Sequence, residues 1–407
     1  MDSTNDAAWP QFRGPSGQGE SNETRLPTSW NSGEDGDKNI VWKTELPGPG
    51  TSSAIIFGNR IYLTAYSGFN VPGSEAGDPE KLKLHLVALT PAGKIAWTSD
   101  VDAKLPEQER IREEHGYASG TPAVDSRRIY TFFGKTGVIA FDHAGKKLWQ
   151  TSVGENLHGW GSATSPVLYK NLVIVNAGVE SESLVALDAT SGEEKWRAEG
   201  IKESWNTPIL VPTANGKTEL VVAIIGKVLG FDPDSGEALW SCDTDIGWYM
   251  APSMVSHDDV VYSIGGRTGG GLAVRVGGRG DVTETHRVWT SKKGSNVTSP
   301  LYHDGHLYWM HENLGIAYCA DVETGNIVYE VRVPDCGQVY ASPILAGGKI
   351  YQLARDGTTY VLAAKPKYEV LAVNELEERG MFNASLSAAN GRIYLRSNRY
   401  LYCIGEK

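Results

Sequence analysis

The sequence predicts an all-β protein, an eight-bladed β-propeller with four-stranded antiparallel blades. Two observations lead to this fold class. A unit of about 40 to 50 residues recurs along the chain, and each unit contains four short β-patterned runs separated by turn residues. The composition agrees, because Gly accounts for 47 of 407 residues and charged residues for only 21%. That balance disfavours a coiled coil, a helical bundle and a disordered chain.

One unit begins with Ser or Thr before Pro and ends with a Gly turn followed by Trp. The clearest copy starts at Ser165-Pro166, passes Asp188 and Gly192, and ends at Trp196. The proline anchors recur at spacings of 42 to 48 residues, at Pro122, Pro166, Pro208, Pro252, Pro300 and Pro343. Two weaker copies, one before Ile61-Tyr62 and one before Ile393-Tyr394, bring the number of blades to eight.

The last unit is one strand short, and the start of the chain supplies the missing strand. Residues 39–46 (NIVWKTEL) carry Trp42 where other units carry their terminal Trp. We predict that this segment pairs with the last blade, because such pairing closes the ring and removes the free sheet edges. Residues 1–37 are then an N-terminal arm, and residues 38–407 form a single propeller domain.

Large rings recur at the outer strand of the units. We predict that they pack between neighbouring blades as part of the core, where each ring buries on the order of 200 Å². Cys319 and Cys403 replace a small alanine of the repeat, which predicts buried, inert thiols. The outer-strand rings are Trp42, Trp97, Trp149, Trp196, Trp240, Trp289 and, in the next unit, Tyr329.

Three segments resemble the tryptophan-docking repeat of the PQQ-like propellers: residues 140–149 (AFDHAGKKLW), 186–196 (ALDATSGEEKW) and 230–240 (GFDPDSGEALW). That family includes quinoprotein alcohol dehydrogenases and the BamB-type scaffold of outer-membrane protein assembly. Residues 9–15 (WPQFRGP) also resemble the start of extracytoplasmic members. The resemblance implies the fold and a periplasmic or secreted location, whereas one propeller fold hosts many functions.

The chain departs from the dehydrogenase members of that family. Those enzymes use an adjacent-cysteine disulfide beside the quinone and hold calcium through carboxylate and amide ligands. Here Cys242, Cys319, Cys336 and Cys403 are isolated in sequence, and Glu312-Asn313 matches only part of a calcium site. We therefore expect no PQQ, no other cofactor and no metal.

Charge and hydropathy restrict the classes of partner that we expect for this chain. The net charge of -11 disfavours a nucleic-acid surface, which needs excess Lys and Arg. The sequence predicts no transmembrane segment, because no apolar run approaches the ~20 residues that a spanning helix needs. We expect a monomer that binds a small molecule or saccharide, with an envelope protein as a further partner.

The loops that enter each innermost strand share one face with the loops between the second and third strands. Such loops surround a channel mouth, where propeller ligands usually bind. Trp160, Trp205 and Trp248 fall in three consecutive entering loops and predict an aromatic wall for a sugar ring or another flat ligand. Alternatively, these rings only cap the channel. The further binding candidates there are Asn206, Tyr249, Asn296, Tyr340 and Asn383.

Cations follow the second strand in several units, and converging cations would attract an anion such as an acidic saccharide. Alternatively, they are ordinary solvated loop charges. The residues are Lys135, Lys227, Arg267, Arg355 and Arg396 or Arg399.

The catalytic candidates are His115, Tyr117 and His158, in the first two long entering loops. A His and a Tyr beside a sugar are suited to acid-base chemistry, including β-elimination.

The leading interpretation is a propeller that binds a ligand or partner at its channel face without PQQ. The alternative is a lyase or hydrolase that acts on acidic saccharides at the same face. A PQQ-dependent dehydrogenase is the third alternative.

Overall fold

The computed structural model describes residues 9–32, 37–109, 115–267, 269–378 and 380–406. Its strands form eight sheets, each holding the four antiparallel strands of one blade. The eight-bladed propeller is therefore confirmed, and so is its closure, because strand Ile40–Glu45 pairs antiparallel with strand Tyr400–Ile404 of the last blade.

The strands of the first four blades run from the innermost to the outermost. Blade 1 comprises Ile55–Phe57, Arg60–Ser67, Lys83–Leu89 and Ile95–Asp102. Blade 2 comprises Ala123–Val124, Ile129–Phe132, Val138–Phe141 and Lys147–Thr151. Blade 3 comprises Val167–Tyr169, Leu172–Ala177, Ser183–Asp188 and Glu194–Glu199. Blade 4 comprises Ile209–Pro212, Thr218–Ile224, Lys227–Phe231 and Ala238–Asp243.

The other four blades repeat this order. Blade 5 comprises Val255–His257, Val260–Gly265, Gly270–Arg275 and Arg287–Ser291. Blade 6 comprises Leu301–His303, His306–Met310, Ile316–Asp321 and Ile327–Arg332. Blade 7 comprises Ile344–Ala346, Lys349–Leu353, Thr359–Ala363 and Val370–Asn374. Blade 8 comprises Ser387–Ala389, Arg392–Arg396, Tyr400–Ile404 and Ile40–Glu45.

Two blades carry an extra parallel strand. Glu20–Ser21 of the arm pairs with the innermost strand of blade 7, and Gly280–Asp281 pairs with the outermost strand of blade 4. Helical structure in the described ranges is confined to single turns, and no helix there is long and apolar enough to cross a membrane. These turns are the α-helices Gly178–Ser181 and Thr283–His286 and the 3-10 turns Pro79–Lys81 and Gly134–Thr136.

The outer-strand rings lie opposite small residues of the third strand. Trp97 pairs with Ala88, for example, and Trp42 with Cys403. In every blade the pairing register between the third and the outermost strand shifts beside this position. Such a shift is typical of a β-bulge, in which one strand carries one extra residue. The small residue on the third strand leaves room for the ring. This explains why Cys319 and Cys403 can replace alanine there, opposite Tyr329 and Trp42.

Five of the tryptophans also lie on a glycine of the following blade. A Cβ added to any of these glycines would come within 2.5 to 2.8 Å of the indole. The indole nitrogen commonly donates to a nearby carbonyl, such as Trp196 Nε1 to Pro233 O at 3.1 Å. The pairs are Trp42 with Gly93, Trp97 with Gly145, Trp149 with Gly192, Trp196 with Gly236 and Trp289 with Gly325.

Trp240 makes a different contact, because blade 5 has a longer connection between its third and fourth strands. Trp240 Nε1 donates to Glu219 Oε2 at 2.7 Å, within its own blade. Arg279, from the inserted segment, pairs with the same buried Glu219 at 3.1 Å. The insertion thus covers the outer edge of blade 4 next to Trp240.

A ring of hydroxyl groups joins the blades around the channel. The backbone N–H of one member donates to the side-chain hydroxyl of the next in seven bonds of 2.9 to 3.1 Å, which run from Ser53 N to Ser385 Oγ. Ser53 Oγ itself has no hydrogen-bond partner in the structure. Blade 5 contributes Ser253, which follows Pro252, whereas a hydroxyl residue precedes proline in most other blades. The members of this hydroxyl ring are Ser53, Thr121, Ser165, Thr207, Ser253, Ser299, Ser342 and Ser385.

The arm crosses the channel on the side opposite the entering loops. The backbones of Trp9 and Ile56 exchange two hydrogen bonds of 2.9 Å in blade 1. Farther along, Gln18 Oε1 accepts from Ser256 N of blade 5 at 2.7 Å. Gly19 O accepts from Leu345 N of blade 7 at 2.8 Å. These contacts lie on innermost strands around the ring, so the arm spans the channel.

One buried carboxyl group holds the entering loop of blade 3. Glu180 O accepts from Glu155 N and Asn156 N, both at 3.1 Å, and the Glu180 carboxyl accepts a hydrogen bond from Ser162 Oγ. The two ends of the segment 155–162 are therefore attached to one residue. Burial raises the pKa of the Glu180 carboxyl to about 7, and nearby Glu107 contributes in the same direction.

We predict that Gly236→Ala destabilises the protein more than Gly226→Ala. Both glycines have φ of +74°, so alanine meets similar backbone strain, of about 1 kcal/mol, at either site. At Gly236 the added Cβ would also lie 2.5 Å from the Trp196 ring, whereas nothing lies within 4 Å at Gly226. We expect a further loss of about 2 kcal/mol at Gly236 in urea unfolding. Equal losses would contradict packing of Trp196 on this glycine.

We predict that Glu180 makes the protein less stable as pH rises through neutrality. Its pKa is raised from 4.5 to about 7, so the fold favours the neutral acid. This stability is fully present below pH ~4.5 and is lost as pH rises through ~7, for a total of about 3 kcal/mol. The melting temperature of the wild type should therefore fall more between pH 5 and 8 than that of Glu180→Gln.

The control for this prediction is Glu182→Gln. Glu182 lies two residues away and its side chain is 55% exposed, so this variant should keep the wild-type pH profile. Parallel profiles for the wild type and Glu180→Gln would show that Glu180 titrates like an ordinary carboxyl group.

Candidate functional site

The entering loops surround a cavity of about 1140 Å³, its open mouth included, which we call the cup. Aromatic, amide and hydroxyl side chains line it, and seven of the eight hydroxyl-ring residues form part of its wall. Among the predicted site residues, those that line the cup are His115, Trp160, Trp205, Tyr249, Asn296, Tyr340 and Asn383.

Phe12 of the arm also lines the cup. The neighbouring backbone is held in place, because Pro10 O accepts from Val124 N of blade 2 at 2.9 Å. On the other side, Arg13 donates to Pro300 O, next to blade 6, at 2.5 Å. The arm thus forms the floor of the cup, a role that the sequence did not predict.

Five rings form a continuous chain beside the cup, and all of them except His158 line it. His115 contacts Trp160 at a centroid distance of 5.7 Å, and Trp160 contacts Tyr249 at 6.1 Å. Tyr249 continues to Trp205 at 5.6 Å, and Trp205 to His158 at 4.9 Å. Trp205 is fixed further, because its Nε1 donates to Gly161 O at 2.8 Å. The chain therefore offers a stiff aromatic surface to a ligand.

Trp248 lies outside the cup, which differs from the predicted wall of three tryptophans. Tyr249, the following residue, lines the cup, while Trp248 is exposed. The Trp248 ring contacts the Tyr249 ring from outside the cup at 5.8 Å and the guanidinium of Arg267 at 5.7 Å. The aromatic wall therefore consists of Trp160, Tyr249 and Trp205.

A polar group of side chains adjoins the aromatic wall of the cup at Tyr249. The buried Glu312 Oε2 accepts from Ser295 Oγ and Asn296 N, both at 3.0 Å. Glu312 Oε1 accepts from Asn313 Nδ2 at 3.0 Å. Asn296 Nδ2 donates to Tyr249 Oη at 2.9 Å, while its buried Oδ1 has no hydrogen-bond partner in the structure. Asn296 Oδ1 therefore offers a hydrogen-bond acceptor next to the aromatic wall.

Arg355 lies beside the cup lining. Its guanidinium is 4.4 Å from the centre of the Tyr340 ring, and Nε donates to Asn383 Oδ1 at 3.1 Å. It also donates to Gln338 Oε1 at 2.6 Å. These contacts orient Tyr340 and Asn383, both of which line the cup.

The remaining predicted cations do not converge on the cup. Lys135 is buried and donates to Pro106 O at 2.8 Å, and Lys227 pairs with Asp243. Arg396 is buried and donates to Ser52 O at 2.9 Å, whereas Arg399 pairs with Glu45 at 3.0 Å. No lysine or arginine is among the described residues that line the cup.

Asn206 is also engaged within the fold. It is fully buried, and its Nδ2 donates to Ala223 O at 2.6 Å and Met250 O at 3.2 Å. The side chain therefore connects blade 4 with the entering loop of blade 5.

The three catalytic candidates have different surroundings. His115 lines the cup against Trp160, while His158 Nδ1 accepts from Trp160 N at 3.2 Å. Tyr117 Oη donates to Gln108 O at 2.6 Å, and burial raises the pKa of Tyr117 to about 12. Tyr117 and His158 line a separate side pocket with Glu107 and Lys135. Only His115 of the three borders the cup.

Sequence reasoning missed Glu180 and the floor residue Phe12. Glu180 holds the loop that carries His158 and Trp160, yet nothing in its sequence neighbourhood distinguishes it from an exposed Glu. Phe12 belongs to the segment WPQFRGP, whose resemblance to related chains was the available signal.

Solved structures of several propellers resemble this chain. BamB from Moraxella catarrhalis superposes with a TM-score of 0.62 and 15% identity, covering 90% of this chain and 97% of that one. A quinohemoprotein alcohol dehydrogenase from Comamonas testosteroni gives a TM-score of 0.69 at 12% identity, covering 98% and 81%. At such identities the likeness establishes the fold alone.

The cup does not fit a calcium ion with a quinone. A hard cation such as calcium takes six to eight oxygen ligands, but Glu312 is the one carboxylate among the described lining residues, and both its oxygens already accept hydrogen bonds. No cluster of three His, Cys, Asp or Glu in the described ranges could hold a metal. The donor set therefore differs from that expected of a quinone enzyme.

Sequence comparison extends beyond the fold. A curated relative, the outer membrane protein assembly factor BamB of Burkholderia pseudomallei (strain K96243), is 27% identical over 194 residues, 46% of this chain. The match spans about half of that relative, 48% of its length. The family model described as outer membrane protein assembly factor BamB matches residues 83–331, more than half of the chain. This protein therefore belongs to the BamB family of PQQ-like β-propellers.

Proposed function

We propose that this protein is a saccharide-binding propeller and that the cup is its binding site. The observation that carries the proposal is the chain of rings from His115 to Trp205 facing amides and hydroxyls across one cavity. The faces of a sugar ring carry C–H groups that pack on aromatic rings, while its hydroxyls need hydrogen-bond partners. Binding pockets commonly combine these two types of lining.

Charge supports a neutral saccharide over an acidic one. The described cup lining includes Glu312 as its carboxylate and lacks lysine and arginine. Bringing an anion close to a buried carboxylate is unfavourable in the low dielectric of a cavity. We propose binding without catalysis, because Tyr117 and His158 border a different pocket from His115.

A second candidate function is docking of a protein partner on the same face, as the name of the BamB relatives suggests. Exposed apolar side chains on loops at this face favour it, because exposed apolar surface often marks an interaction site. These side chains are Leu105, Leu157, Ile225, Trp248 and Leu314. For both functions we propose a periplasmic location.

We predict that Trp160→Ala weakens saccharide binding at least about tenfold, equivalent to ~1.4 kcal/mol, because it removes the central ring of the wall. Isothermal titration with a panel of neutral and uronic-acid oligosaccharides measures this. Trp248→Ala is the matched control, since it removes an exposed ring outside the cup and should leave the affinity unchanged. If no oligosaccharide binds the wild type, the saccharide proposal is wrong.

The same two variants test partner docking with the opposite expectation. In a pull-down from an envelope extract, Trp248→Ala should reduce recovery of a specific partner several-fold, because an exposed Trp is a strong interface residue. Trp160→Ala should not change it. Unchanged recovery with both variants would contradict docking at this face.

A further inference from the structure

The cup is closed at its inner end. The segment 9–21 crosses the channel beneath it, bonded to innermost strands from blade 1 to blade 7. Phe12 lies at the crossing and forms part of the cup lining. A ligand can therefore enter and leave only through the loop face. A long polymer cannot pass through, so only a part that fits within the cup can reach its base.

The wall of the cup carries buried donors whose hydrogens are unused. Seven ring hydroxyls each accept a backbone N–H from the preceding ring member. No group in the described ranges accepts their O–H hydrogens. Thr121, Ser165 and Ser253 are 1%, 2% and 3% exposed, and all three line the cup.

A hydroxyl can accept and donate at the same time. Since the N–H bonds fix the oxygens in the wall, the hydrogens are left for a group inside the cup. A buried donor without an acceptor is costly, so the ring favours a ligand end that is dense in oxygen acceptors.

We propose that the cup recognises the terminal residue of a saccharide chain, with the oxygens of that residue on the hydroxyl ring and its face on the partly exposed rings of Trp160 and Tyr249. This inference rests on the proposed saccharide function. It adds that a chain end is bound and that internal residues are not. The aromatic wall lies on the entering loops and the hydroxyls where the innermost strands begin, so the end must enter first.

Binding stoichiometry tests this inference. Linear neutral and uronic-acid oligosaccharides of about 6 and about 40 residues are titrated into the full-length protein by calorimetry. End recognition predicts one protein per chain at both lengths and a similar molar affinity. Several proteins on each long chain would show that internal residues bind, which overturns the inference but leaves saccharide binding intact. Absence of binding at both lengths overturns both the inference and the proposed saccharide function.

Variants of the hydroxyl ring provide the second test. Ser253→Ala removes one hydroxyl from the cup wall and should weaken binding about fivefold, the effect of one hydrogen bond. Ser253→Thr keeps a hydroxyl, as Thr121 and Thr207 do in their blades, and should restore binding. Ser53→Ala is the control for loss of a buried hydroxyl at the same level outside the cup, because Ser53 Oγ has no hydrogen-bond partner in the structure and Ser53 is not part of the cup lining.

The melting temperature of each variant shows whether the propeller is intact. A folded Ser253→Ala variant with wild-type affinity would show that the ligand does not reach the ring, and would overturn the inference. Equal losses for Ser253→Ala and Ser53→Ala would do the same, because Ser53 does not line the cup and its loss cannot act through contact with the ligand.

Discussion

The hydrogen bonds of the hydroxyl ring are the constraint on which the rest of the structure depends. Each joins a backbone N–H of one blade to a side chain of the next, at the point where the chain enters an innermost strand. One such bond contributes only about 1 kcal/mol. Seven such bonds in succession, however, fix the starts of the innermost strands of all eight blades at a common level along the channel axis. The entering loops rise from this common level, so their aromatic and amide side chains meet around one cup.

The arm supplies hydrogen-bond partners to the channel-facing edges of the innermost strands. Innermost strands have one edge turned to the channel, where backbone groups have no neighbouring strand, and buried backbone groups need partners. Trp9, Pro10, Gln18 and Gly19 supply partners to four of these strands. The segment that satisfies the edges is also the segment that closes the channel. The closed end of the cup is therefore a consequence of how the sheet edges are paired.

The sequence predicts the elements that repeat and misses those that do not. Eight units and the closing strand around Trp42 follow from spacing, because every blade must bury the same face. The loops have no such period, so nothing in the sequence decides whether Trp248 or Tyr249 faces the cup. The sequence also could not show that Lys227 is paired, because its contact with Asp243 depends on which residues lie opposite each other in adjacent strands. Even within the repeat, Ser253 shows that the hydroxyl is what recurs, while the proline beside it shifts by one position.

The charged side chains near the cup do not provide long-range attraction for a ligand. The cations that the sequence places near the loops are already engaged, Lys135 with a carbonyl and Arg396 with Ser52. Glu312 remains at the cup wall, where three hydrogen-bond donors contact its carboxyl oxygens. Such a wall does not draw ligands in by long-range attraction. Under the proposed saccharide function, recognition would come from contact, through stacking on Trp160 and hydrogen bonds deeper in the cup. In this chain the aromatic side chains of the cup lie on the entering loops, whereas the bonds that join the blades lie at the hydroxyl ring, so substitutions in the loops can change the cup while the blades stay in place.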